Sequence, residues 1–531
     1  MFPVSQTCIF QLIKNNSCYI AGVWVKKECF SGFWQEIRRL NGCRFQEVNC
    51  MNIPFVVKIT GVFLSFLGVA MLIPAGVDFI GQDPDWKVFA LSGLYTVVSG
   101  MILYFPNRSQ DALLNIRESY LLTFLSWVFT SIFGAVPFYF CDQNISMVDA
   151  FFETVSGLTT TGATVFSGLD NMPPGILIWR AILQWTGGIG VIVLAVGILP
   201  FLGVGGMRMF RIESSDQSEK PVPRIKKILQ GIMGIYIGLT IICTIAYYLA
   251  GMTWFSAWAH SLTTVSTGGF STKDASLGYF PSPVIHWIAI IFMILGSLPF
   301  VLYFQAIRGK FSGLFRDEQI RYFLAFLGIS TVGLTLCVWQ TGKESLGDTF
   351  NHVMFNVTSI VTTTGFTTTD YSVWGTMAFG TFFLLTFVGG CSGSTSGGIK
   401  FFRFQIIFKL IQMRFRQLIN PTLVASPKFN QEVVTQEIRE SVTIFFCFYI
   451  FVACGLALAL SALNLDFITS VSAAATTIGN VGPGLGDIIG PAGNFQSLPD
   501  SAKWILCFGM LAGRLELYPI LMIFTIRYWD Y

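Results

Sequence analysis

Charge is what this chain has least of: Asp, Glu, Lys and Arg make up 12% of its 531 residues, about half the share of an ordinary soluble domain. Stretches 182–201, 228–260 and 441–465 contain none of the four, and each is long enough to cross a bilayer core, which takes about 20 apolar residues. A soluble globule is thereby excluded. Histidine is scarce too, with His260, His286 and His352 set far apart, and the 12 cysteines include no C-x-x-C pair, so neither a metal cluster nor a disulfide framework is indicated. A phosphate-binding loop is missing: Gly393-x4-Gly398 runs into Ile399 where that loop requires Lys. With no nucleophile–base pair and no phosphorylatable pump motif either, an enzyme is disfavoured. The net charge of +4 is too small for a nucleic-acid binder.

Apolar residues fill the gap, at 53%. Length and apolarity predict an all-α polytopic membrane protein with ten spanning helices, near 55–79, 86–105, 120–140, 175–201, 228–250, 283–307, 320–340, 376–410, 441–463 and 501–527. Residues 1–50 read differently. They hold five cysteines and no apolar run long enough to span, and are read as a non-native or disordered extension ahead of a conventional beginning at Met51. Connections 106–119, 202–227, 308–319 and 411–440 are rich in Lys and Arg, whereas the opposite connections are poor in them apart from Lys273, Lys343 and Lys503. Basic loops stay on the cytoplasmic side, which puts both termini inside.

Four shorter segments on the external side carry the functional signal. They read Leu-Thr-Thr-Thr-Gly-Ala-Thr (158–164), Val-Ser-Thr-Gly-Gly-Phe-Ser (265–271), Val-Thr-Thr-Thr-Gly-Phe-Thr (361–367) and Ala-Thr-Thr-Ile-Gly-Asn-Val (475–481). All fit [Ser/Thr]-Thr-x-Gly, one copy per helix–short segment–helix repeat. Non-helical backbone survives at membrane depth only when buried in protein or lining a wet cavity, so the four segments are expected to converge. Their carbonyls would then replace the hydration shell of a monovalent cation, with the half-crossing helices pointing negative dipole ends at it. The candidate ion-binding residues are Thr160, Thr161 and Gly162; Thr267, Gly268 and Gly269; Thr363, Thr364 and Gly365; and Thr477, Ile478 and Gly479. Glu153 and Asp466, near the starts of such helices, read as caps that draw cations toward the mouth.

These four segments, the run Gly389-Gly390-Cys391-Ser392-Gly393-Ser394-Thr395-Ser396-Gly397-Gly398-Ile399-Lys400 and Gly513-Arg514-Leu515-Glu516 together resemble the Trk/Ktr/HKT superfamily of potassium transporters, most closely its bacterial TrkH/TrkG branch. The resemblance covers about residues 52–531. It implies four helix–pore-helix–helix units about a pseudo-fourfold axis behind an N-terminal helix pair, a homodimer, potassium uptake across the bacterial inner membrane, and a cytosolic nucleotide-binding regulatory subunit on the cytoplasmic face. No cofactor is implied, and potassium is the substrate. Glycine at the key position of every repeat goes with potassium preference in that superfamily, and Gly162 fills the first. The corresponding divisions are 51–110 for the helix pair, then 111–210, 211–310, 311–430 and 431–531.

Residues 389–398 hold five glycines and four Ser or Thr in the middle of the eighth helix, where each glycine costs about 1 kcal/mol relative to Ala. An unwound stretch beneath the filter is predicted, and in the family this loop is the intramembrane gate; a close-packed helix crossing is the bland alternative. Arg514, placed mid-helix, costs roughly 2.5–3.5 kcal/mol to insert and reads as an electrostatic barrier acting with that loop, or as a structural clamp. Residues 202–227 and 400–440 suit either lipid or a docked soluble partner. Two rivals are a potassium-translocating subunit of an ATP-driven pump and a sodium-conducting relative.

Overall fold

The computed structural model describes residues 13–14, 17–20, 23–26, 51–109, 115–141, 145–197, 221–340, 345–423 and 426–529. Contacts divide the chain into two units, Met1–Cys50 with Tyr531, and Met51–Asp530. In the first, β1 (Ile13–Lys14), β2 (Ser17–Ile20) and β3 (Val23–Lys26) form an antiparallel sheet in that order. The remainder of the predicted extension lies outside the described residues, as do residues 202–220 of the basic loop and Lys343.

The second unit opens with α1 (Ile53–Ala70), α2 (Leu72–Gly81) and α3 (Trp86–Tyr104). Helices α1 and α3 lie backbone to backbone. A β-carbon built on Gly61 would sit 2.6 Å from the Gly100 carbonyl oxygen, and one on Gly68 would sit 2.7 Å from that of Gly93. Glycines one heptad apart on each helix thus permit the close crossing by which membrane helices associate without a hydrophobic driving force.

Four helix triplets follow: α4 (Ile116–Phe140), α5 (Met147–Leu158) and α6 (Pro174–Gly197); α7 (Pro221–Leu249), α8 (Trp254–Val265) and α9 (Pro283–Ser297) with α10 (Phe300–Ile307); α11 (Glu318–Trp339), α12 (Leu346–Val361) and α13 (Thr376–Leu385) with α14 (Phe401–Ile419); α15 (Gln436–Ser461), α16 (Phe467–Gly479) and α17 (Asp500–Arg514) with α18 (Tyr518–Ile523). Every short middle helix begins with a side-chain cap. Ser146, Thr253, Ser345 and Asp466 accept from the backbone N–H three residues on at 3.0, 3.3, 3.2 and 2.9 Å, which satisfies an otherwise orphaned donor at each helix start.

Among the described residues seven helical spans are long and apolar enough to cross a membrane, and an eighth if the bent pair α9–α10 is one span. Ten helices, of which the sequence reading unwinds only the eighth, are broken at three places, and the first and third breaks are corrections to it. Around Pro299 the chain turns by 91°, because proline disfavours helical torsions in the residue before it and cannot donate to the helix. Residues 386–400 separate α13 from α14. Glu516 and Leu517, at φ of 58° and 63°, end α17 at Arg514, so that arginine stands at a helix terminus and not mid-helix.

The first two interruptions satisfy each other. The carbonyls of Gly296 and Ser297 accept from the N–H groups of Thr395 and Cys391 at 3.2 and 2.9 Å, and the N–H of Phe300 donates to Gly393 at 3.0 Å. Backbone that a bilayer would leave orphaned is paired inside protein. Apolar cores link the triplets around a circuit: one joins the first to the fourth, another the first to the second, a third the second to the third and to Val481 and Leu485 beyond α16.

Candidate functional site

The four middle helices end alike. Thr160, Thr267, Thr363 and Asn480 adopt left-handed torsions, with φ of 52°, 52°, 58° and 52°. Their N–H groups bond the carbonyls of Gly157, Thr264, Ile360 and Thr477 at 2.9, 3.0, 2.9 and 3.2 Å. The next residues, Thr161, Gly268, Thr364 and Val481, reach back to Ser156, Thr263, Ser359 and Thr476 at 2.9, 2.8, 2.8 and 2.9 Å, which is the double bond of a Schellman ending. Left-handed threonine is a genuine outlier, and such strain, about 1–3 kcal/mol each, gathers at functional sites.

One residue further on stand Gly162, Gly269, Gly365 and Gly482. The first three have φ of 84°, 81° and 86°. A β-carbon on Gly162 would overlap the Gly268 carbonyl and one on Gly269 that of Thr364; on Gly365 it would come within 2.8 Å of the Gly482 nitrogen, and on Gly482 within 2.9 Å of the Gly162 carbonyl oxygen. Each segment therefore abuts the next and the fourth closes on the first. All four glycines line one outward cavity of about 80 Å³.

This geometry corrects the fourth segment of the sequence reading by three residues. Gly479 is the last residue of α16, and its open side faces the Thr386 carbonyl at 2.9 Å, away from the ring. Thr477 bonds the Ala473 carbonyl at 2.6 Å inside the helix, and Ile478 belongs to the apolar core. The tetrapeptide matched by composition, but the left-handed residue at 480 sets the register. A signal was present: the cap precedes the glycine by sixteen residues in the pairs 146 and 162, 253 and 269, and 466 and 482. The third interval is longer because α12 has 16 residues.

Beneath the ring lies 386–400, and its glycines and hydroxyls are buried against the segments. The hydroxyl of Thr267 donates to that of Thr395 at 3.1 Å, the N–H of Gly397 donates to the hydroxyl of Thr363 at 2.6 Å, and Arg514 donates to the Thr395 carbonyl at 2.8 Å. Ser392, Ser394 and Ser396 are at most 6% exposed. Gly389 and Gly390 sit where β-carbons would overlap Gly397 and Ser396, and Gly398 has φ of 63°. Ser392, Ser396, Lys400 and Arg514 are among the residues that line a small cavity of about 20 Å³. Nε and Nη2 of Arg514, Oγ of Ser396, Oγ1 of Thr160 and Oδ1 of Asn480 are buried with no protein partner, a concentration of unmet polarity suited to a wet path.

Charge here is unbalanced. Glu516 pairs with Arg403 at 2.5 Å, and among the described residues Lys400 and Arg514 have no carboxylate within 4.0 Å. Glu153 differs from the sequence reading. It is wholly buried and held by Arg180 at 2.7 Å, so it neither caps a helix nor faces the mouth. Asp466 does cap α16, and hydrogen bonds from Thr469 hold its carboxyl below the usual carboxylate range. Lys273 and Lys503 are neutralised by Asp170 and Asp149 at 3.0 and 2.6 Å. Sequence reasoning missed Asn480, Gly482, Arg180 and Gln184; of these only the two in the fourth segment had a spacing signal.

Residues 86–530 match the TrkH family, described as cation transport protein. The chain is 43% identical over 476 residues to the Trk system potassium uptake protein TrkI of Halomonas elongata, across 89% of this chain and 96% of that one. It is 38% identical over 484 residues to the Trk system potassium uptake protein TrkH of Escherichia coli K12, across 90% and 100%. The crystal structure of the potassium transporter TrkH from Vibrio parahaemolyticus aligns with a TM-score of 0.84 at 36% identity, covering 90% of this chain and 100% of that one.

Proposed function

The chain belongs to the TrkH family of cation transport proteins, and from that premise we propose that it carries potassium into a bacterial cell through the ring of four glycine-centred segments. It is a multi-pass membrane transport protein and not an enzyme. The observation that carries the proposal is the closed circuit of Gly162, Gly269, Gly365 and Gly482 at the ends of four capped half-helices. Backbone and hydroxyl oxygens there would substitute for the ion's water, and the carbonyl ends of α5, α8, α12 and α16 add negative potential. Residues 389–398 serve as the gate and Arg514 as the barrier: the loop occupies the route, and a buried guanidinium repels a dehydrated cation across a medium of low dielectric.

The same reading makes α1 to α3 a peripheral helix pair and the four triplets pore repeats about a pseudo-fourfold axis, with the interrupted spans counted as crossings to give ten. Both termini face the cytoplasm of an inner-membrane homodimer. The exposed basic residues Arg414 and Arg416 of α14 favour a cytosolic nucleotide-binding regulatory subunit on that side.

The test is cation flux into sealed liposomes under potassium, rubidium, sodium and lithium gradients. Potassium and rubidium should enter with little sodium, Gly365→Ser should relax that preference, and removal of residues 391–396 should raise passive leak. Equal sodium flux in the wild type, unchanged by Gly365→Ser, overturns the filter assignment.

A further inference from the structure

Behind the ring, each middle helix turns one buried polar side chain onto its own outgoing strand. Nine residues before the ring glycine stand Glu153, His260 and Asn356; in the fourth segment the adjacent Ser472 takes the part. Glu153 accepts from the Val165 N–H at 2.9 Å and the Thr164 hydroxyl at 3.0 Å. His260 gives Nδ1–H to the Ser256 carbonyl at 2.7 Å, which leaves Nε2 to accept from the Ser271 hydroxyl at 2.9 Å. Asn356 donates to the Thr368 hydroxyl at 3.0 Å, and Ser472 donates to the Leu485 carbonyl at 3.0 Å. All four are at most 3% exposed. The strand residues they hold lie two or three beyond the glycine, so every segment is a hairpin stapled from behind.

Only the first staple is charged, and it also reaches the neighbouring segment. Arg180 on α6 places Nε on Glu153 at 2.7 Å, Nη2 on the Thr164 hydroxyl at 3.1 Å and Nη1 on the Ser271 carbonyl at 2.8 Å. One turn along, Gln184 donates to the Gly268 carbonyl at 2.5 Å and accepts from the Phe270 N–H at 3.0 Å. These bonds bracket Gly269 from both sides. A buried ion pair adds little net stability over a well-packed apolar pair, but a guanidinium is a rigid planar fork whose donors fix distances.

We propose that Glu153, Arg180 and Gln184 are positioning residues that set the separation between the first and second filter segments, and with it how well the ring tells potassium from sodium. This rests on the filter reading above. The asymmetry is one of charge: the junction of the first two segments is held by a charged fork and a bidentate amide, whereas neutral bonds join the second to the third, from the Gly278 N–H to the Thr367 carbonyl at 3.0 Å, and the fourth to the first, from Asn480 Nδ2 to the Thr161 hydroxyl at 3.0 Å. Lysine at 180 could still meet Glu153, but a single ammonium cannot also span Thr164 and Ser271 in that geometry.

The experiment is sodium and potassium flux through the full chain in liposomes, per mole of protein recovered, for wild type, Arg180→Lys, Gln184→Met and Gly365→Ser. The sodium-to-potassium ratio should rise about fivefold in Arg180→Lys and in Gln184→Met, the scale of one net hydrogen bond. If Arg180→Lys does not accumulate, Gln184→Met, which changes no charge, decides on the same readout. A ratio within about twofold of wild type in the recovered variants, well under one net hydrogen bond, overturns the proposal, provided that wild type is selective and Gly365→Ser is not. A wild type that passes sodium and potassium alike overturns the filter reading instead.

Discussion

Two glycines three positions apart in the fourth segment carry opposite consequences. An added methyl at Gly482 meets the Gly162 carbonyl at 2.9 Å, inside the ring, whereas one at Gly479 meets the Thr386 carbonyl at 2.9 Å, outside it. Gly482→Ala should therefore raise relative sodium flux as strongly as Gly162→Ala. Gly479→Ala should leave the ratio alone and cost about 1–3 kcal/mol of stability by overpacking, read as a lower melting temperature in detergent. Equal effects on selectivity would restore the register taken from composition. At this scale the sequence was partly legible. The first three segments share one backbone ending in the register of their repeated Thr and Gly, but the identity of residue 479 says nothing about whether α16 has ended. That depends on the torsion of Asn480, a residue type that tolerates left-handed backbone. Glu153 was misplaced for a different reason, since the partner that buries it is 27 residues away on another helix.

Among elements, apolar length located seven of the ten expected spans as helices long enough to cross, and the interruptions of the others unevenly. Five glycines announced the break between α13 and α14, and Pro299 could have announced the bend between α9 and α10. Nothing announced the end of α17, because Glu516 and Leu517 are ordinary residues in left-handed torsions imposed by their surroundings. The crossing of α1 and α3 was equally silent, since single glycines in long apolar runs acquire meaning only when opposed. Gly100→Val tests it. The larger side chain would press on the Gly61 carbonyl and on Ser65, forcing the helices apart at a cost of about 1–3 kcal/mol. Its melting temperature in detergent should fall while the sodium-to-potassium ratio holds, as this crossing lies outside the ring.

For the whole molecule, near-symmetry in backbone coexists with difference in chemistry. Four alike helix endings make the circuit, yet the staples are a carboxylate, an imidazole, an amide and a hydroxyl, and the charged fork of Arg180 on α6 serves the first two segments alone. Composition and period revealed the likeness, because repeated Thr and Gly survive a reading by type. The differences needed coordinates, because they reside in contacts between distant residues. The gate region shows what such contacts entail for motion. Since the carbonyls freed by the bend at Pro299 are claimed by Cys391 and Thr395, and the N–H of Phe300 is claimed by Gly393, neither break can rearrange without stranding backbone of the other at a cost of about 1–3 kcal/mol per group. The two behave as one cooperative opening unit. In deuterated buffer the amide of Phe300 and those of Cys391 and Thr395, distant from it in sequence, should exchange at one shared rate and respond alike to denaturant, and distinct rates would mean that the loop moves alone.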